Sequence, residues 1–296
     1  MSKQQRDAID AAIRTRPFDV TQETDEARKL FEAFATVPLP GDVRAREAAL
    51  GGIGVLDLSI EGNPADPVTL YYHGGGYVIG SARSGARLAA ELARRTGGRA
   101  VSVDYRLAPE HPYPAAVEDG VAVYAGLLES GADPRQVVVA GDSAGGGLAV
   151  ATLLAARDRG LPQPAAVAVF SPWADLTRSG ASYRAKDAAD PLFSYDALGW
   201  FADRYVPAGD RSVPLASPVF ATLTGLPPML IQVGSHEVLL DDAVRLAASA
   251  ARDDVEVLLH VTADVSHVFQ NQFGMLDEAD EALDEAAGFV RRHVQQ

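Results

Sequence analysis

Val137-Val138-Val139-Ala140-Gly141-Asp142-Ser143-Ala144-Gly145 carries a short apolar stretch directly into the pattern G-x-S-x-G. The β-branched run favours a buried strand, and the Ala- and Leu-rich run from Leu148 to Arg157 reads as a helix. The serine between them stands on a strand–turn–helix corner too sharp for a side chain at either flanking glycine. The start of the following helix turns backbone N–H groups and a positive dipole end toward it. A phosphate-binding loop also places glycines before a helix, but the lysine such a loop needs is missing here. Ser143 is therefore read as a nucleophile.

Outward from this corner, strand and helix patterns alternate. Strands are expected at Val55–Ile60, Val68–Tyr72, Ala100–Val103, Ala166–Phe170, Met229–Val233 and Val255–Leu259. Helices are expected at Arg87–Thr96, Ala115–Leu128, Asp242–Arg252 and Asp277–Val294. This order predicts an α/β fold, a mostly parallel sheet with helices on both faces. Ligands of such sheets bind beyond the carboxyl ends of the strands. Residues 1–296 form a single domain on this reading. Two regions break the rhythm. The first 45 or so residues read as helical, with Leu30, Phe31 and Phe34 on one face. Between Ser171 and Pro228 no buried strand is evident, and Ser194–Phe201 looks like a helix capped by Ser194. Residues of about 1–45 and about 178–212 are expected to form a cap over the sheet.

His73-Gly74-Gly75-Gly76 follows the strand Val68–Tyr72. Glycines there let backbone N–H groups approach a carbonyl oxygen as it gains charge, and the N–H of Ala144 adds another donor. A serine nucleophile also needs a base and an acid, which on this kind of sheet follow in the order Ser, acid, His. Of the six histidines, His267 lies after the last strand and before the final helix, at the carboxyl end of the sheet. His260 ends an alternating run, and His293 sits among charges in the terminal helix. The acid should follow Met229–Val233, where Glu237, Asp241 and Asp242 stand. Asp241 and Asp242 open a helix and have a capping reason to be there. Glu237 has none, so it is preferred, with Asp241 second.

With these residues assembled, the chain resembles the hormone-sensitive-lipase-like family of α/β-hydrolase serine esterases. His73-Gly74-Gly75-Gly76 is similar to its oxyanion motif and Gly141-Asp142-Ser143-Ala144-Gly145 to its elbow. Asp104-Tyr105-Arg106-Leu107-Ala108-Pro109-Glu110-His111 resembles a motif that packs behind the site. Gly234-Ser235-His236-Glu237-Val238-Leu239-Leu240-Asp241 resembles the acid loop, with glutamate where most members carry aspartate, as in monoterpene ε-lactone hydrolases. The resemblance implies Gly75, Gly76 and Ala144 as oxyanion donors and short to medium acyl chains as substrates. It implies neither metal nor cofactor. Members often pair as dimers, which no residue here decides.

Composition bounds the partners. A net charge of −14 argues against nucleic acid and against anionic membrane surfaces. No apolar run approaches the roughly 20 residues of a membrane span. Met1–Asp7 has no apolar leader, which makes the cytoplasm the default expectation. The absence of cysteine excludes a thiolate nucleophile. The expected partner is a small ester or lactone, with Tyr77, Val78, Leu192, Trp200 and Phe201 as candidates for its apolar pocket. An amidase or deacetylase would use the same triad, and a ligand-binding receptor could be built on the same scaffold.

Overall fold

The computed structural model describes residues 2–15 and 23–294. The expected N-terminal cap therefore includes positions, Met1 and 16–22, that lie outside the described residues. The strands are β1 (Val43–Leu50), β2 (Ile53–Ile60), β3 (Val68–Tyr72), β4 (Arg99–Val103), β5 (Val137–Asp142), β6 (Ala166–Phe170), β7 (Met229–His236) and β8 (Val257–Ser266). They form one sheet in the order β1-β2-β4-β3-β5-β6-β7-β8. From β4 to β8 every neighbour is parallel, while β1 and β2 are antiparallel.

The helices are α1 (Ser2–Arg14), α2 (Thr24–Ala35), α3 (Ala82–Thr96), α4 (Ala115–Glu129), α5 (Ala144–Asp158), α6 (Ser182–Ala185), α7 (Tyr195–Tyr205), α8 (Leu240–Arg252) and α9 (Asp277–His293). The central strands are buried on both faces, so their side chains feed two cores. Leu70, Val139, Val167 and Ile231 pack with α4, α5 and α8, while Tyr71, Ala140, Phe170 and Leu230 pack with α3 and α9. Among the described residues no helix is long and apolar enough to cross a membrane.

Three elements depart from the sequence reading. Val43–Leu50 is a strand, although Val-Arg-Ala-Arg-Glu-Ala-Ala-Leu is built mostly of helix formers. Its partner decides: Gly51 and Gly52, both at positive φ, make a two-residue turn that folds it back onto β2. Residues 43–45 thus belong to the sheet. The last strand runs on to Ser266, so His260 lies mid-strand, opposite Gln232. Finally, α8 begins at Leu240 with no side-chain cap, so Asp241 and Asp242 do not serve as its caps. Asp241 instead accepts from Ser182 N–H (2.9 Å), and Asp242 from Ala174 and Asp175 N–H (2.9 and 2.8 Å). Both aspartates tie the 174–183 chain to the body.

Candidate active site

The residues singled out above converge at the carboxyl edge of the parallel strands. Ser143 follows β5, Ser171 follows β6, Glu237 follows β7 and His267 follows β8. Ser143 has φ 53° and ψ −123°, a backbone that a non-glycine residue adopts only under strain. The surroundings hold it there. Its N–H donates to Phe170 O (2.9 Å), and its carbonyl accepts from Trp173 N–H (2.8 Å) and Gly147 N–H (3.1 Å). Gly145 is required by close approach, since a Cβ there would stand 2.0 Å from the Tyr72 carbonyl oxygen.

The glycine loop is bound to the elbow through Asp142. This half-buried carboxylate accepts from Gly74 N–H (3.0 Å) and Tyr71 O–H (2.7 Å). Gly74 is thereby consumed. The N–H groups of Gly75, Gly76 and Ala144 have no acceptor among the described residues, which leaves them free to meet an oxygen brought to this edge. His73 supports the loop from behind. It donates from Nδ1 to Gly74 O (2.7 Å) and stacks on Tyr105 at 4.2 Å, and Tyr105 O–H donates to His73 O (2.7 Å). Burial lowers the His73 imidazole to about 4, so it stays neutral and acts as packing.

Gly76 offers a sharp test. It sits at φ 60°, and a Cβ there would fall 2.3 Å from the Phe201 ring. Gly76→Ala must move either Phe201 or the loop, and so disturb the Gly76 N–H that the motif resemblance implies as an oxyanion donor. We expect kcat for p-nitrophenyl butyrate to fall by roughly 10²–10³-fold, with a lower Tm; unchanged kcat would remove Gly76 N–H from the site.

Glu237 is fully buried and bonded on both oxygens. Oε1 accepts from Ser171 O–H (2.8 Å) and Gly234 N–H (2.6 Å), and Oε2 accepts from His267 Nδ1 at 2.7 Å. This contact sets the tautomer, with the proton on Nδ1 and Nε2 left to accept. Burial opposes charging of the imidazole, but Glu237, Asp190 and Asp142 outweigh it, and His267 titrates above its ordinary value. The Ser143 hydroxyl and the imidazole are not hydrogen-bonded to each other; such contacts often tighten only when substrate binds. A short relay nevertheless joins their backbones. Ser143 N–H is held by Phe170 O, and the next residue, Ser171, accepts Val268 N–H on its Oγ (3.0 Å).

Among the pocket candidates, Phe201 lies against Gly76, and Trp200 meets Phe201 edge-on at 4.9 Å. Tyr77 stacks on Tyr205 at 3.9 Å, and Val78 is wholly buried. Leu192 is half-buried, its N–H donated to Asp190 (2.8 Å). Sequence reasoning missed Ser171, Asp142, Asp190 and Phe193, the last of which meets His267 edge-on at 5.2 Å. Ser171 alone left a trace: it directly follows a central strand. His260 pairs with Glu285 (2.6 Å) and His293 donates to Phe289 O (2.9 Å), both away from Ser143.

The chain matches a family model described as the alpha/beta hydrolase fold over residues 69–271. It is similar to an acetyl-hydrolase of Streptomyces hygroscopicus, 46% identical over 75% of this chain and 74% of that one. It is also similar to an esterase of Acinetobacter venetianus, 34% identical over 95% and 93% of the two chains. A crystal structure of an esterase from the bacterial hormone-sensitive lipase family superposes with a TM-score of 0.94, at 39% identity over 98% of each chain.

Proposed function

The chain belongs to the α/β-hydrolase family of bacterial hormone-sensitive-lipase-like esterases, and from that footing we propose that it hydrolyses short-chain carboxylic esters through an acyl-enzyme on Ser143. The observation that carries this reading is the buried Glu237–His267 pair at the edge of the sheet where the Ser143 elbow stands. Ser143 Oγ attacks the ester carbonyl carbon while His267 Nε2 takes its proton. Negative charge moves onto the carbonyl oxygen, where Gly75, Gly76 and Ala144 N–H groups meet it. The carbon–oxygen bond to the alcohol breaks, and the alcohol leaves with the proton from His267. Water, activated by the same imidazole, then releases the acid and restores Ser143. Glu237 keeps the imidazole oriented and stabilises its charged form.

A cap built from α1, α2 and the 178–212 insert closes over this edge. Several contacts support it. Arg28 of α2 donates to Val78 O (2.9 Å) and Ala108 O (2.8 Å), which flank the glycine loop. Arg14 of α1 donates to Ala189 O (2.8 Å), and Arg204 of α7 donates to Thr24 Oγ1 (3.2 Å). Phe193 and Phe201, whose rings lie 6.1 Å apart, bridge from His267 to Gly76, a placement that favours a short acyl chain. The acetyl-hydrolase relative agrees with a short acyl group.

A fluorophosphonate probe is expected to label one site, and peptide mapping should place the adduct on Ser143. Turnover should be highest on p-nitrophenyl acetate and butyrate and fall beyond about eight carbons, with seven-membered lactones run alongside. Labelling without turnover of any ester, lactone or amide would favour a ligand-binding role; no labelling would reject the acyl-enzyme.

A further inference from the structure

Asp190, in the turn before α7, is a buried carboxylate with three backbone donors and no cationic partner among the described residues. Oδ1 accepts from Leu192 N–H (2.8 Å) and Phe193 N–H (3.0 Å), and Oδ2 accepts from Val238 N–H (2.9 Å). Val238 is the residue after Glu237, and Phe193 is the ring set edge-on to His267. One side chain thus grips both the insert, at Phe193, and the acid loop, at Val238, and each of these segments also meets the imidazole. Resting on the esterase reading above, we infer that Asp190 is a positioning residue that couples the insert to the triad through Phe193 and Val238.

A turn alone would not require the charge. An asparagine or serine caps a two-to-three-residue turn at lower desolvation cost. All three contacts are donated to Asp190, which is the pattern of an ionised carboxylate. Burial pushes its carboxyl above the ordinary value, with the N–H donors opposing. The charged groups acting on the imidazole come from three elements: Glu237 of the acid loop, Asp190 of the insert and Asp142 of the elbow. Glu237 makes the direct bond, whereas Asp190 is in contact with the ring only through the backbone it holds at Phe193 and Val238.

The sign follows from the chemistry. His267 must be neutral to accept the Ser143 proton, so kcat/KM rises as pH passes upward through the imidazole value. Removing a nearby negative charge lowers that value. For p-nitrophenyl butyrate, the wild-type acid limb should lie above pH 6.5, the ordinary histidine value. Asp190→Asn should move it down by about 0.5–1 pH unit. Asp190→Asn should also lower kcat by about tenfold, with a smaller change in KM. Asp190→Glu should restore the limb, because it restores the charge, but not the full kcat. An unmoved limb in Asp190→Asn with reduced kcat and Tm would leave Asp190 a structural turn and overturn the inference. If Asp190→Asn does not fold, Asp190→Ser makes the same measurement. The Nδ1 proton of His267, followed by NMR across the same pH range, gives the same reading without substrate. It judges Asp190 even if the wild type hydrolyses no ester, a result that would reject the esterase reading alone.

Discussion

Ser143→Ala is expected to lower kcat on p-nitrophenyl butyrate by about 10⁴–10⁶-fold, to the level supported by binding and the oxyanion amides alone. The loss should be this large because no other hydroxyl stands at the elbow. On the proposed mechanism the proton acceptor, the donors and the water step all serve that one oxygen. The fold should tolerate the change. Ser143 Oγ makes no hydrogen bond among the described residues, and the backbone bonds that hold the elbow come from N–H and C=O. Alanine keeps the Cβ, so Tm should stay within about 2 °C. Purified variant with undiminished turnover and an unchanged Tm would sink the assignment of the nucleophile.

Glu237→Gln should cost about 10⁴-fold in kcat, although it removes no volume. The reason lies in the hydrogen-bond directions. Oε1 receives two donors, from Ser171 and Gly234, so the amide of a glutamine turns its oxygen to them. Its NH₂ then faces His267 Nδ1 and forces the proton onto Nε2, the nitrogen that must accept from Ser143. Asp241→Asn is the matched control. Asp241 accepts from Ser182 N–H and makes no contact with His267 among the described residues, so activity should fall less than about threefold while Tm drops slightly. A reversal, with Glu237→Gln active and Asp241→Asn dead, would move the acid to Asp241.

The nucleophile corner was readable because its demands are local. A sharp turn between a strand and a helix restricts a handful of consecutive residues, and Gly141 and Gly145 stand where a Cβ would strike Gly145 and Tyr72 carbonyl oxygens. The glycine loop after β3 was readable for the same reason. His267 followed from chain order at the carboxyl edge of the sheet. Glu237 could be preferred only by removing rivals. Asp241 and Asp242 hold the 174–183 chain rather than cap α8, so capping is not what separates them from Glu237.

The long-range pairings left no such mark, even where one partner, Ser171, directly follows a central strand. Ser171 lies 66 positions before Glu237, and Asp190 lies 48 before Val238; no period or spacing marks either pair. Phe193 gained a role only when the insert folded back on His267. Strand β1 was hidden because its residues favour a helix in isolation, and pairing with β2 overrode that preference.

By itself the chain's order of residues determined the alternating layers, the strained serine and the amide-lined loop, because backbone sterics and hydrophobic period act over a few neighbours. Only the tertiary structure decided which carboxylates face the imidazole, which histidine has a buried partner and which aromatic rings close over the loop. Those choices depend on desolvation and on hydrogen bonds between residues far apart in the chain, and such forces have no value until the chain has folded.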